Sequence, residues 1–354
     1  MTKSSAMPLA HAASRNQDVV RRPVSAFPLP DSALSQRVAS HMEAIEQALL
    51  EAVEFADPLA ADASRYLIDA GGKRLRPFLV LLASELGSGV NDQVINAAVT
   101  VELTHLASLY HDDVQDSAPL RRGHPTAHHV WGNTVAIMVG DLLFARASQR
   151  VAQLGSEAVS LQARTFERLC LGQLAELTGP AAGVDAVDHY LSVLSDKTAS
   201  LVAASARLGA MYAGVAPEAL DALSAYGEHI GVAFQLADDV LDLTSQAGDS
   251  GKTPGTDLRE HVPTMPVLLL RQRVREQGRA EDSDLLALLD GDLTDDALLG
   301  EVVDRLSRDV VVAQTRQLAA RWAQSAVDCL SVIADGPVKE ALAMFATALV
   351  ERSQ

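Results

Sequence analysis

Two aspartate clusters, Asp112/Asp113/Asp116 and Asp238/Asp239/Asp242, are the residues whose type and spacing most plainly suggest chemistry. Each closes an apolar run, Ala97 to Tyr110 in the first case and Ile230 to Ala237 in the second. On a helix, Asp112 and Asp116 share a face one turn apart, and Asp238 and Asp242 repeat the arrangement. Like charges at that spacing repel, so a cation between them would remove a cost. Hard oxygen ligands on a rigid scaffold suit Mg2+, which keeps several waters and completes its shell with phosphate oxygens. One such cluster could be a solvated acidic helix end. Two copies, each after an apolar helix, point instead to a magnesium-held organic diphosphate.

Cations supply the complementary half. Gly71-Gly72-Lys73-Arg74-Leu75-Arg76-Pro77 places three of them in a glycine-opened turn entering a helix, where backbone amides also attract anions. Arg121-Arg122-Gly123 follows the first aspartate cluster, and Lys197-Thr198 and Gly251-Lys252 lie further on. His105 stands seven residues, two helical turns, before Asp112 and so shares its face. His124, His128 and His129 lack an acidic or thiolate partner nearby and read as polar surface rather than a zinc site.

The elements that must position these residues are helical. The chain has 354 residues, 48% hydrophobic but only 4% aromatic, a core palette of Ala, Leu and Val that favours close-packed helices. Apolar residues recur every three or four positions, as in Leu34, Val38, Met42 and Ile45, and no alternating stretch is long enough for a strand. Residues 1–30, rich in Ser, Ala, Pro and Arg, read as a poorly ordered tail ahead of a single all-α domain over 31–354. The acidic segment Glu281 to Asp304 reads as a surface connection between late helices. A net charge of −17 argues against nucleic acid as a partner. Two cysteines without a CxxC pattern, and no signal peptide or membrane-length apolar run, place the chain in the cytoplasm.

With these motifs in order, the chain resembles the trans-isoprenyl diphosphate synthases of the polyprenyl synthetase family from about Leu34 onward. The matching segments are GGKRLRP (71–77), HDDVQD with RRG (111–123), WGNTVAIMVGDLLFARA (131–147), DKTASL (196–201), FQLADDVLD (234–242) and GKTPGTDL (251–258). The resemblance implies an isoprenoid synthase fold, a helical bundle around a deep central cavity, and a homodimer. It implies that Asp112, Asp113, Asp116, Asp238, Asp239 and Asp242 hold about three Mg2+ ions around an allylic diphosphate. It assigns Lys73, Arg76, His105 and Arg122 to the diphosphate of isopentenyl diphosphate, and Arg121, Lys197, Gln235 and Lys252 to the allylic diphosphate. It puts Thr198 near the developing cation. Metal and cations neutralise the leaving diphosphate, the allylic group ionises, and the double bond of isopentenyl diphosphate attacks.

The product must run along the helix that carries Asp112. Ser108 and Ala107, one turn below, are small, and Thr104 and Val101 do not close the way, so the floor must come from another helix, with Phe144 as the candidate. A medium or long all-trans product is therefore expected, with geranylgeranyl diphosphate as the shorter alternative. Peripheral membrane contact could serve product release. The chain departs from the family at His261-Val262, where Gly-Lys is usual, at Gln115, usually apolar, and at Ser117, often acidic. A terpene cyclase of this fold usually lacks the GGKRLRP and RRG cations, and a non-catalytic subunit usually loses an aspartate motif; neither loss is present here.

Overall fold

The computed structural model of the protein describes residues 29–245 and 254–351. The tail expected over 1–30 falls almost wholly outside them, as does Lys252. Asp31 accepts a hydrogen bond from the Leu34 amide (2.6 Å) and so starts helix α1 (Ser32–Ala52), which buries Leu34, Val38, Met42, Ile45 and Leu49 on one stripe. Helix α2 (Pro58–Asp69) begins the same way, with Asp57 as cap and proline in its first turn. Helix α3 (Leu75–Ser84) is buried along most of its length.

The centre is α4 (Asp92–Gln115), capped by Asn91 and buried round most of its circumference. A tight hairpin of β1 (Leu120–Arg121) and β2 (His124–Pro125) turns the chain after it, through Arg122 and Gly123, both at positive φ. There follow α5 (Ala127–Trp131), α6 (Asn133–Ala152), α7 (Ser156–Thr178) and α8 (Ala186–Leu194). A single π-turn, Ser195–Ala199, joins α8 to α9 (Ser200–Tyr212), and α10 (Pro217–Thr244) carries the second aspartate motif. Helix α4 packs against α3, α6 and α9, and α10 against α9 and α15. Where α9 crosses α3, a Cβ at Gly209 would run into the Val80 carbonyl, so that close approach requires glycine.

The late helices are α11 (Thr256–Arg259), α12 (Met265–Gln277), α13 (Ala280–Leu289), α14 (Asp296–Ser307), α15 (Val310–Cys329) and α16 (Pro337–Glu351). They correct the expectation for Glu281 to Asp304. That segment forms most of α13 and α14, whose Leu285, Leu289, Leu299 and Val302 are buried with Val240, Leu243, Val267 and Leu270 in a satellite core. Apart from Asp282, which is buried against Arg273, the acidic residues occupy the outer faces, and composition masked the leucines beneath them. Arg273 holds this region together through Asp282 and Asp309, with N–O distances of 2.7 and 2.8 Å. Among the described residues no helix is long and apolar enough to cross a membrane.

Candidate active site

Both aspartate motifs divide their residues in the same way. In the first, at the end of α4, Asp112 is half-buried and Asp116 exposed, whereas Asp113 is fully enclosed and ion-paired with Arg121 on β1. In the second, Asp238 and Asp242 are half-buried, whereas Asp239 is enclosed and accepts hydrogen bonds from the Tyr190 hydroxyl (2.9 and 3.1 Å) and the Met265 amide (3.1 Å). The second carboxylate of each motif is one position, about 100°, round the helix from the first. That rotation sends it into the protein while its neighbours stay toward the solvent side. Behind α10, Asp242 accepts from the Asp257 amide at 3.3 Å.

Burial dominates the electrostatics of these carboxyls. It pushes Asp112 up to about 6, with Lys197 pulling the other way and Asp116 adding to the rise. It pushes Asp239 up to about 8 against the hydrogen bonds from Met265 and Tyr190. It raises Asp113 too, opposed by Arg121, and one Asp113 oxygen is buried without a hydrogen bond. A cation arriving beside such carboxyls would favour their ionised form and offset the cost of burying it. Among the described residues no three His, Cys, Asp or Glu side chains already converge as a protein-only metal cage. That suits Mg2+, which is ordinarily held by one or two carboxylates with water and substrate phosphate completing its shell.

The π-turn lies between the motifs, with Lys197 toward the first and Thr198 toward the second. Lys197 is ion-paired with Glu176 of α7, and both residues lie near enough to Asp112 to influence its proton. Glu176 also acts on the Tyr190 hydroxyl that holds Asp239. Thr198 donates to Gln235 at 3.4 Å, three residues before Asp238.

The second cluster is cationic. Arg74 is buried and spent on structure: it pairs with Glu46 (2.5 Å) and the buried Glu102 (3.0 Å) and donates to the Ile68 carbonyl (3.2 Å). Around it the other positive groups crowd. Burial, then Arg76 and Arg122, hold His105 well below the usual imidazole range. Burial, then Arg74, lower Arg122 to about 10, and burial lowers Arg76 despite nearby Glu102. Arg76 Nε is buried with no hydrogen-bond partner, while Arg122 donates to the Leu67 carbonyl at 2.9 Å. The Arg122 guanidinium lies so close to Gly72 that a Cβ there would meet it at 2.9 Å. Lys73, on the same turn, is exposed. Such crowding of positive charge is relieved by an anion.

Below Asp112, Ser108 is partly open, whereas Ala107 and Thr104 are fully enclosed. Thr104 accepts a hydrogen bond from Gln162 of α7 at 2.6 Å. Phe144 packs between His111 (ring centroids 5.7 Å apart) and Phe166 (4.3 Å).

Glu176, Tyr190, Glu102 and Gln162 were not legible as site residues in the sequence. Glu176 had the clearest signal, four positions after Gly172, a glycine inside a helix and hence a mark of close approach. The others are single polar residues in apolar helices.

The polyprenyl synthetase family model matches residues 57–303 of the chain. A nonaprenyl diphosphate synthase of Mycobacterium tuberculosis is 39% identical over 93% of this chain and 97% of its own length. Among solved structures, geranylgeranyl pyrophosphate synthase from Corynebacterium glutamicum, complexed with calcium and isoprenyl diphosphate, is 40% identical. It superimposes with a TM-score of 0.81 over 92% of this chain and 99% of its own. A polyprenyl synthase from Caulobacter crescentus, also complexed with calcium and isoprenyl diphosphate, is 31% identical, with a TM-score of 0.83 over 91% and 97%.

Proposed function

This chain belongs to the polyprenyl synthetase family, and from that premise we propose how its own residues carry out the family's chemistry. It is a prenyl diphosphate synthase, a transferase that condenses isopentenyl diphosphate with an allylic diphosphate. The observation that carries the assignment of roles is the pairing of a two-motif carboxylate site with a separate, anion-deficient cationic site.

Asp112, Asp116, Asp238 and Asp242, the outward members of each motif, hold Mg2+ at the allylic diphosphate. Asp113 and Asp239 sit behind them, the first holding Arg121 and the second held by Tyr190, and fix the helix ends. The calcium bound with isoprenyl diphosphate in the Corynebacterium and Caulobacter relatives supports a divalent cation here. When bound, the metal neutralises the leaving diphosphate, and about three ions would suffice. Lys197, Arg121 and Lys252 complete that neutralisation. Thr198 presents its hydroxyl oxygen toward the cation that develops at the allylic carbon, and Gln235, whose Oε1 accepts from Thr198, turns its amide N–H groups to the diphosphate. Lys73, Arg76, His105 and Arg122 grip isopentenyl diphosphate. His105, kept neutral by its surroundings, gives one ring N–H to that phosphate.

The product is of medium to long chain. It grows past Ser108 along α4. The nonaprenyl relative supports the length. Two copies associate through α6 and α7, where Ile137, Met138, Phe166, Leu171, Leu174 and Leu177 are exposed. The chain works in the cytoplasm, with its two cysteines unpaired, and meets membranes only to release product.

The test is incubation of the purified protein with isopentenyl diphosphate, Mg2+ and, separately, dimethylallyl, geranyl, farnesyl and geranylgeranyl diphosphates, with products sized by mass spectrometry. Elongation beyond geranylgeranyl diphosphate is the expected result. A product that stops there contradicts the assigned length, and no elongation with any primer contradicts the assignment as a whole.

A further inference from the structure

The turn that carries Lys197 is not an ordinary helical turn. In the π-turn Ser195–Ala199, the Ser200 amide reaches the Ser195 carbonyl five residues back. Such bulges are rare, rotate the side chains that follow, and need support from outside the helix. Arg168 of α7 supplies it. Its Nε donates to Asp196 (2.7 Å), and one terminal nitrogen donates to the Ser195 hydroxyl (3.0 Å) and carbonyl (3.2 Å). Both terminal nitrogens also reach the Glu228 carboxylate on α10, which accepts from the Ser195 hydroxyl as well (3.1 Å). Two glycines press the turn from either side. A Cβ at Gly172 of α7 would lie 2.6 Å from the Lys197 backbone nitrogen, and one at Gly231 of α10 would overlap Ala199. Helix α7 thus holds the turn twice, by Arg168 at its base and by Glu176 at the Lys197 ammonium.

We propose that Arg168, braced by Glu228, is a positioning residue that fixes the π-turn so that Lys197 and Thr198 face the allylic diphosphate. The proposal rests on the roles given above to those two residues. Without the guanidinium, Asp196 and Glu228 would face each other as unscreened carboxylates at the base of the turn. They would drive it toward a regular helix, turning Lys197 away from Asp112.

The experiment compares Arg168→Met, Arg168→Lys and Glu228→Gln with the full-length protein, reading KM for each substrate, melting temperature and amide exchange over 195–201. Arg168→Met should raise KM for the allylic diphosphate about tenfold, as loss of alignment at a charged contact does, while leaving that for isopentenyl diphosphate within about twofold. Amide exchange in the turn should quicken, the lysine variant should be intermediate, and Glu228→Gln should carry the test if Arg168→Met does not fold. On a Lys197→Met background the Arg168 change should add almost nothing. Wild-type KM and exchange in both Arg168→Met and Glu228→Gln would overturn the proposal. So would a rise in both KM values together with a fall in melting temperature, the mark of a merely structural role. If Lys197→Met alone leaves the allylic KM unchanged, the role of Lys197 falls, and the positioning role falls with it even if the turn loosens.

Discussion

At the scale of the residue, the site is set by which way each side chain of a short motif can point. Asp112 and Asp116 are outward and Asp113 inward because they occupy helix positions one turn and one residue apart, and α10 repeats the geometry. Tyr190 supports Asp239 behind the outward ligands of α10, so Tyr190→Phe should weaken metal binding by no more than about tenfold, the lower end of what loss of a partner directly behind a ligand costs. Calorimetric titration with Mg2+ in the presence of an allylic diphosphate analogue would read it. Protons compete for the same oxygens. Asp112, raised to about 6, holds a proton below that pH in the metal-free protein and has released it above. Magnesium affinity should therefore fall as pH drops through about 6 and level off above 7, in the same titration run at several pH values. Arg76→Met tests the other half-site. It removes a charge-assisted contact, so KM for isopentenyl diphosphate should rise about 10–100-fold with the allylic KM nearly unchanged.

At the scale of the element, α4 does three jobs: it fills the centre of the bundle, ends in the first motif, and lines the path proposed for the product. Its apolar run and terminal aspartates were legible because both obey one helical period. The partner helices were not. Lys197 meets Glu176 across 21 residues and Tyr190 meets Asp239 across 49, separations that no local pattern encodes. For the same reason Gln162 passed as one polar residue on α7 until the fold set it on Thr104. Ser108→Phe should shorten the product by filling partly open space below Asp112. Ala107→Phe should shorten it too, but in an enclosed position, with about 1–3 kcal/mol of lost stability from overpacking. Product sizing together with thermal melting separates the two.

At the scale of the whole molecule, an acidic chain handles two anionic substrates by gathering its cations at two places. The net charge argues against nucleic acid as a partner, yet it could not reveal that Arg74, Arg76, Arg121 and Arg122 converge from two distant segments. The satellite core of α12 to α14 lay equally hidden under acidic surface residues. Its Arg273–Asp309 pair gives it a defined response to acid. Burial raises the Asp309 carboxyl, but the Arg273 and Val311 hydrogen bonds outweigh it and leave Asp309 below the usual range. A depressed carboxyl adds stability above its unfolded pKa of about 3.9 and loses it as pH falls toward the folded value. Asp309→Asn should thus lower the melting temperature at pH 7 and narrow the gap to wild type below about pH 4.

The central claim is that allylic diphosphate is held through metal by both aspartate motifs. It is tested most directly by calorimetric binding of a non-ionising allylic thiolodiphosphate with Mg2+ and with chelator. The account predicts tight binding with Mg2+ and a loss of at least about 100-fold on chelation, reproduced with Mg2+ present by either Asp112→Asn or Asp238→Asn. Binding that survives chelation, or that only one of the two substitutions weakens, would contradict it.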